Sequence, residues 1–245
     1  MRDLEGKAKH ILSTAESAGV PLRLIGALAF KIRCKSSNKG LLSRSTHDID
    51  LVGHAKDRDQ IDKLFRTLEY TPAELFNHVH PNRLLFFDPH DDSRVEVFLD
   101  DFEMCHAFNF RDRIHLSRHT LTPSDLLVTK LQIVELNEKD LKDIISLVND
   151  HRIGFDDDDD EAINVEYIAG LCAKDWCIYK TFSRNLKRIL EILERFDLAD
   201  EDKRNVIMKL KRVLDEIETF PKTLKWKLRS ILGTRLRWYS LPEVR

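Results

Sequence analysis

The sequence predicts an α+β chain: a small mixed β-sheet flanked by helices, followed by an α-helical C-terminal region. Three observations carry this. The stretch His47 to Gly53 alternates strictly, with Ile49 and Leu51 facing one way and Asp48 and Asp50 the other, as a half-buried strand does. Arg94 to Leu99 alternates in the same manner. Beyond about residue 152 alternation gives way to helical spacing, in Leu186, Ile189, Leu190 and Leu193 and again in Val206, Ile207, Leu210, Val213, Leu214 and Ile217. The chain therefore divides into a mixed part, residues 1–152, and a helical part, residues 153–245.

Taken in order, Leu4, Ala8, Ile11, Leu12 and Ala15 predict an amphipathic helix over residues 3–17, ended by Gly19. Leu22 to Ile25 reads as a strand, and Gly26-Ala27 turns from it into a helix over LAFKIRC. The polar segment from Lys35 to Ser45 is a surface loop. After the strand at Asp48, a helix is marked by Ile61, Leu64, Phe65 and Leu68. Strands follow at 83–87 and 94–99, with turn residues in the PHDDS stretch from Pro89. Thr122-Pro123-Ser124-Asp125 has the N-cap and first-turn chemistry of a helix start, and a shorter helix runs from Asp140 to Val148. The run FDDDDDE from Phe155 reads as a solvated linker or a helix N-terminus.

No apolar run approaches the roughly 18 residues needed to span a bilayer, so no membrane partner is expected. The N-terminus MRDLEGKAKHIL lacks the apolar core of a signal peptide. The four cysteines are scattered without a CxxC pair, which predicts a reduced, cytoplasmic chain with no disulfides and no zinc site. His78 and His80 alternate, but beside Pro81 they read as a polar loop. Net charge is −2, yet residues 203–245 hold twelve Lys/Arg against four Asp/Glu, which leaves the remaining 202 residues at −10. The segment Lys222 to Tyr239 interleaves basic residues with Trp226, Trp238 and Tyr239. That pattern fits an amphipathic helix packed on the body, or an RNA-binding surface.

The chemistry gathers around Asp48 and Asp50. Two apart on one strand, their side chains leave the same face about 6–7 Å apart. That separation suits two carboxylates sharing a hard cation. A small-residue turn, Gly26-Ala27, precedes a helix upstream, where backbone N–H groups and the helix dipole favour phosphate. Downstream, Glu96 stands between valines on an alternating strand, with Asp100 as a second candidate on the same face. Three acids on neighbouring strands opposite such a turn suit two-metal phosphoryl transfer.

These residues resemble a known signature. Ile25-Gly26-Ala27 followed by Arg44-Ser45-Thr46-His47-Asp48-Ile49-Asp50-Leu51 is similar to the hG[G/S]…R-x-[ST]-x-D-x-D-h pattern of the DNA polymerase β-like nucleotidyltransferases. More narrowly, the chain resembles the bacterial group containing the AbiEii-type toxins, with DLLVTKLQ and Lys139-Asp140-Leu141-Lys142-Asp143 matching its lysine helix and Asp-x-x-Asp pattern. The likeness covers roughly residues 20–148 and departs in three places. Ala27 stands where Gly or Ser is usual, the connection from Gly26 to Asp48 is long, and Glu96 stands where Asp is commoner.

The resemblance implies a nucleotidyltransferase fold over residues 1–152 and Mg²⁺ (or Mn²⁺) held by Asp48, Asp50 and Glu96. Gly26, Ala27, Arg44 and Lys130 would hold a nucleoside triphosphate, with Asp143 shaping the site. The implied activity moves a nucleoside monophosphate to a hydroxyl of RNA, protein or a small molecule and releases pyrophosphate, with a toxin-like role as one version. The basic C-terminal segment favours an RNA acceptor. The alternative is a non-catalytic nucleotide-binding or interaction module on the same fold. Read from the residues alone, Lys130 serves equally as a snorkelling lysine on an amphipathic helix, and Arg44 as a brace for its loop.

Overall fold

In the computed structural model, which describes residues 3–38, 40–43, 46–91, 93–194, 196 and 198–241, the first local event is a helix cap. The Asp3 side chain accepts from the Gly6 N–H and starts α1 (Leu4–Ser17), whose Leu4, Ala8, Ile11, Leu12 and Ala15 are buried. Strand β1 (Leu22–Ile25) then runs straight into α2 (Gly26–Arg33). Next come β2 (Asp48–Gly53), α3 (Arg58–Thr67), β3 (Thr71–Pro72), α4 (Glu74–Val79), β4 (Arg83–Phe87) and β5 (Arg94–Leu99). They form one mixed sheet in the order β1-β2-β5-β4-β3. The β2–β5 pair is parallel; β1–β2, β4–β5 and β3–β4 are antiparallel.

Register sorts the sheet into two unlike faces. Leu22, Leu24, Ile49, Leu51, Leu84, Phe86, Val95 and Val97 share one face, and none is more than 2% exposed. Phe65 of α3 stacks on Phe86 of β4, with ring centroids 4.3 Å apart, and helps close this core. The other face bears Asp48, Asp50, Arg83, Arg94 and Glu96. Lys7 of α1 ties down the turn between β4 and β5, donating to Asp88 at 2.6 Å and Ser93 at 3.1 Å and pairing with Asp91 at 2.8 Å.

The sequence reading is corrected at β3 and α4, which it did not contain. His78 lies in α4 and His80 caps its end. Helix α4 has no side-chain cap, so its start carries no signal in the sequence. It exists because Asn77 completes the edge of β4: its Oδ1 accepts from the Leu85 N–H at 2.7 Å and its Nδ2 donates to the Leu85 carbonyl at 3.2 Å. A side-chain amide here does the work of the strand that β3 is too short to provide.

The later helices are α5 (Pro123–Leu131), α6 (Glu138–Asp150), α7 (Val165–Lys174), α8 (Trp176–Leu193), α9 (Asp200–Thr219) and α10 (Leu224–Leu232). Thr122 caps α5 as its sequence predicts, and Asn137 with Asp140 forms a capping box that starts α6 two residues earlier than expected. Val206, Leu210, Val213 and Ile217 are the buried stripe of α9, which packs on α6, α7 and α8. At the other end of α6, Lys209 of α9 donates to the carbonyls of Val148, Asn149 and His151 at 3.0, 3.0 and 2.8 Å. The aspartate run from Asp156 to Asp160 lies in turns between two short paired strands, Ile153–Gly154 and Ile163–Asn164. All four cysteines are free thiols.

Packing divides the chain into two compact units. The first comprises Met1–Arg33, Ser45–Phe102 and Ala107–Leu121; the second comprises Cys34–Arg44, Glu103–His106 and Thr122–Arg245. The change in hydrophobic period near residue 152 falls elsewhere, inside the second unit. The reason is that α5 packs on α7 and α8, and α6 on α9, so these two helices join the C-terminal ones.

Candidate functional site

The polar face of the sheet begins at the junction of β1 and α2. Gly26 has φ +63°, a conformation that L side chains rarely adopt. A Cβ built there would lie 2.1 Å from Asp50 Oδ2 and 2.9 Å from its Cγ. Two independent constraints therefore demand glycine: the backbone turn, and the close approach of the Asp50 carboxylate to the start of α2. In register, Asp50 lies between Ile25 of β1 and Glu96 of β5. Ala27 follows in the first turn of α2, partly exposed.

Asp48 and Asp50 leave the same face of β2, as the alternation requires. Asp48 lies opposite Arg94 in register, and Arg94 Nη2 donates to its Oδ2 at 2.9 Å; both side chains are about one-third exposed, 33% for Arg94 and 38% for Asp48. Two buried polar atoms belong to this stretch of chain, one in Arg94 itself and one in Thr46, two residues before Asp48. Arg94 Nε and Thr46 Oγ1 have no hydrogen-bond partner among the described residues. Buried polar atoms left without a partner are costly unless something else engages them.

Glu96 shares the face but sits deeper, at 2% exposure. Arg83 Nε donates to its Oε1 at 2.6 Å, and Arg83 Nη2 also reaches that oxygen. The guanidinium lies between the rings of Phe76 and Phe98, 5.2 and 5.3 Å from their centroids. The second candidate acid, Asp100, lies beyond the far end of β5 with φ +60°. It is held by Arg111, whose Nη2 and Nε donate at 2.9 and 3.1 Å, and by His54 at 3.2 Å. Burial opposes its charge, but these partners outweigh burial and hold its carboxyl below the ordinary range.

Lys130 and Asp143 meet in the second unit. Lys130 Nζ lies 2.9 Å from Asp140 Oδ1 and 2.9 Å from Asp143 Oδ2, and all three side chains are almost fully buried. Burial works against the ammonium, yet the two carboxylates overcome it and keep the lysine charged. The snorkelling alternative is thus replaced by a buried ion triad. Asp140 also accepts from the Asn137 N–H at 3.2 Å, so one carboxylate caps α6 and anchors the lysine together. Arg44 lies outside the described residues.

The polar face fits a divalent cation through two carboxylates rather than three. Among the described residues no group of three or more His, Cys, Asp or Glu is gathered as a metal site. Mg²⁺ commonly uses one or two protein carboxylates and takes its other ligands from phosphate and water. Asp48 and Asp50 supply two carboxylates on one strand face, Asp48 paired with Arg94, and the Glu96 carboxylate is held deeper by Arg83. The arginines were missed from the sequence, although Arg94 carried a signal: it alternates with Glu96 on one strand. Compared with known proteins, the chain matches no family model and no curated sequence.

Proposed function

We propose that the chain is a nucleotidyltransferase of the DNA polymerase β-like fold, moving a nucleoside monophosphate from a nucleoside triphosphate to a hydroxyl acceptor. The observation that carries this reading is the packing of Asp50 against Gly26, with Asp48 beside it on the same strand face. This joins a carboxylate pair to the start of a helix, where phosphate is favoured. Arg94, whose Nε is orphaned, supplies a further group suited to a polyanion.

Asp48 and Asp50 would hold Mg²⁺ or Mn²⁺, and the ion would neutralise phosphate charge and stabilise departing pyrophosphate. The backbone at Gly26 and Ala27 receives the phosphates. Arg94, already on Asp48, would present its guanidinium to the same anion. Glu96, held by Arg83, orders the floor of the face. The acceptor hydroxyl oxygen bonds to the α-phosphorus, the α–β anhydride bond breaks, and the hydroxyl proton passes to a carboxylate of this face. Lys130 and Asp143, paired with each other in the second unit, take no part in this step.

One observation favours a second reading, a nucleotide-binding module without turnover: Asp48 and Glu96 are both engaged by arginines. A single experiment separates the two. The chain is titrated with each nucleoside triphosphate with and without Mg²⁺, and pyrophosphate release is followed in the presence of total RNA and protein. Mg²⁺-dependent release abolished by Asp48→Asn and Asp50→Asn supports the transferase. Mg²⁺-dependent binding without release supports the module, and the absence of any Mg²⁺-dependent binding sinks both.

A further inference from the structure

Six of the twelve exposed large apolar residues among those described fall within 224–241, a segment with five Lys/Arg and no acidic residue. Soluble surfaces scatter such side chains singly, so their concentration calls for a cause. Helix α10 is fixed by one face only. Thr223 caps it and binds the Ala173 carbonyl through both its N–H and its hydroxyl, at 3.1 Å each. Trp226 meets Tyr179 edge-on, with centroids 5.1 Å apart, and the Arg229 guanidinium lies 4.6 Å from the Trp176 ring centroid.

The opposite face is bare. Leu224, Leu228 and Ile231 follow the i, i+4, i+7 spacing of a single stripe and are 73%, 59% and 75% exposed. At about 100° per residue, Lys225 and Lys227 fall on its two flanks. Leu236 and Leu241, with Arg235 and Arg237, continue the same apolar and basic composition past the helix. None of these four cations has an ion pair among the described residues.

We propose that α10 docks on an anionic lipid surface, lying in the plane of the interface with Leu224, Leu228 and Ile231 inserted and Lys225 and Lys227 at headgroup level. The charge pattern selects this occupant. Aliphatic side chains give a nucleic acid no stacking platform, which disfavours RNA on this stripe. A second copy would bring lysine onto lysine across a two-fold contact. An acidic bilayer meets both features at once, since lysine stems run along the apolar stripe while their ammonium groups stay with the headgroups. Among the described residues no helix is long and apolar enough to cross a membrane, but lying on one requires no such length. The sequence expectation of no membrane partner rested on spanning alone.

The test is co-sedimentation of the full chain with vesicles of phosphatidylcholine, alone or with 30 mol% phosphatidylglycerol, at low and high salt. Binding is expected only to the anionic vesicles and is expected to weaken with salt. Leu228→Ser/Ile231→Ser is expected to weaken it by about tenfold or more, and Lys225→Gln/Lys227→Gln by about fivefold per lysine. These side chains are exposed, and unchanged circular dichroism checks that the variants fold. No sedimentation with anionic vesicles at low salt overturns the proposal, as does equal binding by the Leu228/Ile231 variant. A concentration-dependent dimer abolished by that variant, without vesicle binding, assigns the stripe to a second copy and overturns it too. Saturable binding to an acidic peptide with no vesicle binding has the same consequence.

Discussion

Replacing Gly26 by alanine tests the junction on which the site is built. Two costs are expected, and they are separable. Holding a residue with a Cβ at φ +63° costs about 1–2 kcal/mol. The second cost is steric: the new methyl would lie 2.1 Å from Asp50 Oδ2 and 3.0 Å from Asp50 Cβ, so the Asp50 side chain must swing away from α2. Because the obstacle is a side chain rather than backbone, it is relieved by losing the carboxylate's position, not by unfolding. Urea denaturation of Gly26→Ala should therefore show a loss somewhat above the backbone term. In an Asp50→Ala background the loss should shrink to about 1–2 kcal/mol. Mg²⁺-dependent nucleotide binding, followed by calorimetry, should fall sharply in Gly26→Ala, while Ala27→Ser leaves it intact or improved. A Gly26→Ala chain with unchanged stability and unchanged Mg²⁺-dependent binding would falsify both the strained turn and its link to Asp50.

Three further outcomes are expected. Lys130→Met leaves Asp140 and Asp143 buried without their shared cation and should cost about 3–5 kcal/mol in urea denaturation; Asp140→Asn, which leaves one carboxylate on the lysine, should cost less. His106 is half-buried with its Nε2 2.8 Å from Thr181 Oγ1, and partial burial pushes its pKa down to about 4. A histidine held below its unfolded value adds stability above about pH 6.5 that is lost as pH falls toward 4, so His106→Gln should flatten the slope of the urea midpoint across that window. Lys209→Met strips the donor shared by three carbonyls at the end of α6 and should cost about 1–3 kcal/mol, with hydrogen exchange accelerating first at Asn149 and His151.

The chain shows where reading a sequence succeeds and where it stops. β1, β4 and β5 occupy the predicted residues, and β2 differs by one, because an alternating strand between turn residues carries its face in its own period. The common face of Asp48, Asp50 and Glu96 followed from the same period, once β2 and β5 were taken as neighbours. Helix α4 was invisible because its stability comes from Asn77 binding Leu85, a contact no local pattern encodes. The division near residue 152 marks a change in composition, whereas packing places α5 and α6 with the C-terminal helices.

By itself, then, the sequence determined β1, β2, β4 and β5, the glycine turn before α2, the cap of α5, and the face on which the carboxylates stand. Each of these is local: a period, a cap or a glycine acts within a few residues. Tertiary structure alone decided which carboxylates are engaged. Arg94 reaches Asp48 across 46 positions of sequence, and Arg83 reaches Glu96 through strand register. Lys130 is buried between two aspartates instead of exposed, and α10 keeps its leucines in the open. Electrostatic partners and burial depend on which elements become neighbours, and that is fixed by the whole chain minimising exposed apolar surface and unpaired charge together.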